Sequence, residues 1–125
     1  MKRLIHQFLA VLVAGAAAVP ALAHHAWPVD SNKLITVQGK VVEFKWENPH
    51  PMITLQVTTA DGKEETWQVG GPAIVRMEGK GWTRETVKHG DTITGIGHQF
   101  RDGQKIIRLE RVKFADGKEI SVYGG

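Results

Sequence analysis

The chain has 125 residues, no cysteine and a formal net charge of +3. One domain of moderate size is available, and disulfides, thiolate metal sites, covalent c-type haem and iron–sulfur clusters are excluded. The positive balance is local: without Lys2 and Arg3, fourteen basic residues face thirteen acidic ones, too even a balance for the concentrated basic face that nucleic acid requires.

Behind Lys2 and Arg3 an apolar run extends from Phe8 to Val19 and leads to Ala21-Leu22-Ala23. A basic start, a short apolar centre and an A-x-A site are the three parts of a cleaved secretory signal peptide. The run falls short of the roughly 20 residues that span a bilayer. Residues 1–23 are therefore expected to be a signal peptide. The mature protein is expected in the periplasm, or outside the cell, with no membrane span. Residues 24–34 hold Pro28, Asp30, Ser31 and Asn32 without periodicity and read as an N-terminal arm, with one barrel domain over residues 35–125.

The first predicted strand covers residues 35–47. Ile35, Val37 and Val41 share one parity and Val42, Phe44 and Trp46 the other, so a bulge or bend is expected beside Gly39. Asn48-Pro49-His50-Pro51 ends it. A second strand over 52–59 turns inward Ile53, Leu55 and Val57, and Asp61-Gly62 supplies the hairpin turn to a third strand over 64–69. Ala73, Ile74 and Met77 then fall at helical spacing, with Pro72 as a first-turn proline and Gly79 as a stop. A second helical turn is expected after Gly81, capped by Thr83 and stapled by Trp82 and Val87. A fourth strand over 92–97, a fifth over 105–114 and a short last strand near Tyr123 complete the chain. Three strands, a helical connection and two or three more strands predict an all-β, five- to six-stranded OB-like Greek-key barrel; a small β-sandwich is the alternative.

Without thiols, ligand chemistry rests on the histidines that survive cleavage: His24, His25, His50, His89 and His98. Cleavage after Ala23 makes His24 terminal, so that its α-amine and imidazole chelate one metal ion beside His25; these donors suit copper, and also zinc or nickel. Cleavage after Ala21 instead gives Leu22-Ala23-His24, whose amine, backbone nitrogens and third-position imidazole suit square-planar copper. An exposed pair behind a cleavage site also fits plain flexible sequence. His50 stands between two prolines that stiffen its backbone, although a tight turn needs no more than that. His98, placed at the start of the loop between the fourth and fifth strands, lies in an OB barrel near the loop that holds His50. His89 reads as a turn residue. Of the four tryptophans, Trp46 beside the Asn-Pro-His turn is expected to border a site, with Asn48 as a further binding residue.

The mature sequence resembles a family of small exported bacterial proteins defined only as a domain of unknown function. The residues that carry the resemblance are His24-His25, Gly39, Trp46-Glu47-Asn48-Pro49-His50, Trp67, Gly81-Trp82, Gly90-Asp91, Gly95 and Gly97-His98. Members usually read His-His-Ser where this chain has His24-His25-Ala26, and often Gly-His-Pro where it has Gly97-His98-Gln99. The resemblance implies a periplasmic β-barrel domain and brings no established activity.

The expected function is exported small-ligand binding, with copper or another divalent metal held by histidines drawn from His24, His25, His50 and His98. The alternative is a metal-free interaction module of the cell envelope that presents Trp46 to a protein partner. A copper-dependent oxidase or oxygenase would need an open coordination position and a substrate surface, and no catalytic residues are assigned.

Overall fold

The structure, a computed structural model, describes residues 26–123; the expected signal segment, His24 and His25 lie outside the described residues. Six strands are arranged around one apolar core: β1 (Ile35–Lys45), β2 (Met52–Thr58), β3 (Glu64–Gly70), β4 (Thr92–Gln99), β5 (Ile106–Phe114) and β6 (Glu119–Ser121), with helix α1 (Ile74–Glu78) between β3 and β4. The order is β3-β2-β1-β4-β5-β6, and a parallel pairing of β3 with β5 closes the first five into a barrel. This is the OB-like barrel, not a sandwich, with β6 added as a hairpin on β5. No helix among the described residues is long and apolar enough to cross a membrane.

Alternation fills the barrel. Ile53 and Leu55 of β2, Val69 of β3, Ile93 of β4 and Ile107 and Leu109 of β5 are all at most 1% exposed, each two residues from its inward neighbour or opposite it across a ladder. Met77 of α1 and Trp82, Val87 and Val122 from the connections join the same cluster.

Two bulges give the curled sheet its bend. In β1 the register passes from Val41 opposite Leu55 to Glu43 opposite Thr54, which makes Val42 the extra residue. The bulge thus lies at Val42 and not beside Gly39: Val41 is buried at 1% exposure, whereas Val42 is 45% exposed. In the pairing of β4 with β5, Ile96 lies opposite Arg111 and Gly97 opposite Leu109, which leaves Glu110 as the extra residue. Val41→Ala is expected to cost about 2 kcal/mol of unfolding free energy. Val42→Ala should stay within about 0.5 kcal/mol. Urea denaturation of the two variants reads the register directly, and equal losses would contradict it.

Other elements differ from expectation in instructive ways. The helix forms, but its N-cap residue is Ala73, so Pro72 precedes the helix. After Gly81 no helix forms, only a single turn closed by the Thr86 N–H on the Thr83 carbonyl at 3.1 Å. Thr83 caps that turn as expected: its hydroxyl accepts the Glu85 N–H at 3.2 Å, and the Thr86 hydroxyl accepts the Thr83 N–H at 2.7 Å. Strand β4 runs on to Gln99, so His98 is a strand residue paired opposite Arg108, not a loop residue.

Candidate functional site

The N-terminal arm folds back over the barrel. Its backbone pairs with the end of β4: Asp30 N–H donates to the Gln99 carbonyl at 3.2 Å, Arg101 N–H donates to the Pro28 carbonyl at 2.8 Å, and Val29 bridges Phe100. Val29 is buried. Trp27 then reaches across, its ring 5.8 Å from that of Phe100 and 4.8 Å from that of His50, edge-on to both. The indole rests on Gly70, where any Cβ would collide with Trp27 Cη2. A glycine at the end of β3 is therefore what admits the tryptophan.

His98 clamps the same arm. Its Nδ1 lies 2.8 Å from the Lys33 carbonyl and 3.1 Å from that of Asp30. Carbonyls only accept, so this nitrogen carries the proton. Its Nε2 lies 3.5 Å from Glu110 Oε1, which also accepts Arg108 Nη2 at 3.1 Å. The bulge at Glu110 explains the meeting, because the extra residue of β5 falls beside the strand position of His98.

The turn from Asn48 to Pro51 is tied to the start of α1 at three points. His50 Nδ1–H donates to the Gly71 carbonyl at 3.1 Å, Gly71 N–H donates to the Pro51 carbonyl at 2.9 Å, and Ile74 N–H donates to Asn48 Oδ1 at 3.2 Å. Asn48 thus satisfies one of the amides that a helix start leaves open, a task its own N-cap residue Ala73 does not perform. The Asn48–Pro49 peptide is cis. With Nδ1 committed to a carbonyl, the neutral His50 ring keeps its lone pair on Nε2.

Arm, turn and helix start enclose an open cleft of about 960 Å³. Ala26 and Trp27 form one wall, Asn48, Pro49 and His50 another, and the segment from Pro72 to Arg76 a third, with Tyr123 closing the end. The two ends of the described chain therefore meet at one place. Burial pushes the Tyr123 phenol above its ordinary value, and the charge of Arg108 pulls it partly back, so the hydroxyl stays neutral and able to donate at physiological pH.

Of the residues singled out in the sequence, Asn48 and His50 line this cleft. Trp46 does not line it; its ring packs 5.6 Å from Phe44, which in turn lies 6.2 Å from Trp82. The tryptophan at the cleft is Trp27, overlooked in an arm without periodicity, where its position three residues after His24 was the available signal. His98 is also absent from the cleft walls, for the arm that it clamps lies between. His89 is an exposed turn residue. Among the described residues, no three His, Asp or Glu side chains converge as a metal site; His24 and His25 are outside that set.

The barrel is similar in fold to a mitochondrial single-stranded DNA binding protein from S. cerevisiae, with a TM-score of 0.51, 9% sequence identity, and coverage of 66% of this chain and 93% of that one. It is also similar to a ZRD-deleted mutant of TiaS in complex with agmatine, with a TM-score of 0.49 and 13% identity over 82% of this chain but only 28% of that one. At 9% identity the likeness to the former is one of fold. No curated protein matches the sequence. A family model matches residues 11–107, and the chain belongs to that family, the family of unknown function DUF6152.

Proposed function

We propose that this protein is an exported, periplasmic small-ligand-binding protein that takes up a divalent metal ion, copper above all, at the cleft beside His50. The ligands are the His50 Nε2 and the histidines that open the mature chain, His24 and His25. The signal-like start of the sequence supports export. The observation that carries the metal reading is the arm's return: Ala26, the residue after His25, lines the same cleft as His50. His50 has the second partner typical of a ligating imidazole, since its Nδ1–H is held by the Gly71 carbonyl and its other nitrogen is left for a metal. Imidazole and amine donors without thiolate suit copper(II). His98 serves by holding the arm.

Copper(II) titration of mature protein with a verified N-terminus tests this. His50→Ala is expected to weaken binding about tenfold or more, while His98→Ala, which frees the arm without removing a donor, should weaken it less. Binding no tighter than micromolar and unchanged by His50→Ala would refute a shared site.

A further inference from the structure

The walls of the cleft are unbalanced in charge. Arg76 is exposed on α1, and among the described residues it enters no ion pair. Among the described residues, no carboxylate lines the cleft. Arg76 and Tyr123 both line the cleft, so a guanidinium and a phenol hydroxyl border one space. Apart from Asn48 and His50, the remaining walls are apolar, with Trp27, Pro49, Pro72 and Val75, the last 75% exposed among the described residues. Such a surface attracts an anion and covers an apolar body.

We infer that the cleft binds a small organic carboxylate with an apolar body, the carboxylate engaging Arg76 and Tyr123 and the body lying against Trp27, Pro49 and Val75. This rests on the cleft being the protein's ligand site, though not on a metal being present.

The test uses full-length mature protein stripped of metal with a chelator, and three probes: benzoate, its neutral analogue benzamide, and inorganic phosphate. Calorimetric titration should show saturable benzoate binding about tenfold tighter than benzamide. Arg76→Gln should remove that preference and leave thermal unfolding unchanged, because the side chain is exposed. Benzoate and benzamide binding equally, or Arg76→Gln leaving the preference intact, would overturn the proposal. Phosphate binding as tightly as benzoate would also overturn it, since the apolar walls would then contribute nothing. Copper titration of the same Arg76→Gln protein keeps the two readings apart: copper affinity lost at His50 but not at Arg76 retains the metal site whatever the carboxylate does.

Discussion

Trp82→Ala is expected to lower the unfolding free energy by about 3–5 kcal/mol. Trp82 is 1% exposed, the largest of the fully buried side chains. It packs against Phe44 of β1, donates its Nε1–H to the Ser121 carbonyl at 2.9 Å, and belongs to a loop whose own N–H is held by the Met77 carbonyl at 3.1 Å. One side chain thus ties together the bent first strand, the segment after α1 and the last strand. Alanine would leave a void where these meet, with backbone on each side to resist collapse. Domains of this size are stable by only about 5–15 kcal/mol, and the chain has no cysteine to supply a disulfide. The variant should therefore denature at a much lower urea concentration and sit near its unfolding transition at growth temperature. Trp82→Phe keeps most of the apolar volume and loses the hydrogen bond, so a loss of about 1–2 kcal/mol is expected. A loss under about 1 kcal/mol for the alanine variant, followed by circular dichroism in urea, would contradict the role assigned to this residue.

The succession of strands could be read in the sequence because each strand writes its own alternation, and because Asp61-Gly62 marks its hairpin with a φ of +81° at the glycine. Adjacent Val41 and Val42 could not be told apart. Both are apolar, and only the pairing with Leu55 and Thr54 decides which of them faces outward. Gly97 is a strand residue at a close approach. A Cβ there would collide with the Arg108 carbonyl oxygen and lie 3.1 Å from Leu109 Cα, so the glycine lets β4 stay paired past the bulge and brings His98 into the strand.

For the site, the stiffness of Asn48-Pro49-His50-Pro51 was legible from its two prolines. The path of the arm was not, because what holds it is non-periodic: one bridge at Val29, two carbonyls on His98, and an indole seated on a glycine. None of these contacts leaves a pattern along residues 24–34. The arm also changes which residues can meet. An OB barrel brings the loops after its first and fourth strands to one face, and on that ground alone His50 and His98 are expected to share a ligand. Trp27 occupies the space between His50 and Phe100, and His98 spends its Nδ1 proton on the arm backbone. The same displacement moves the tryptophan of interest from Trp46 to Trp27.

Moving the α-amine of the mature chain away from His24 is expected to weaken copper(II) binding on the order of 100-fold, the loss that follows when a chelate is reduced to separate ligands. Whether cleavage follows Ala21 or Ala23, the terminal amine is one of the proposed donors: it joins the imidazole of His24 in one case, and in the other completes the square plane of Leu22-Ala23-His24. A Gly-Ser extension ahead of His24, long enough to carry the amine clear of the cleft, removes that donor while retaining His24, His25 and His50. It touches nothing in the barrel, so thermal unfolding without metal should be unchanged. His50→Ala in the extended protein should then cost less than in the mature one, because partners in one site couple. Equal copper affinity in the extended and mature proteins would mean that the terminus is no ligand, and that copper, if it binds, does so through side chains alone. An uncleaved leader would act as such an extension, so under the proposed export the site would be complete only after processing.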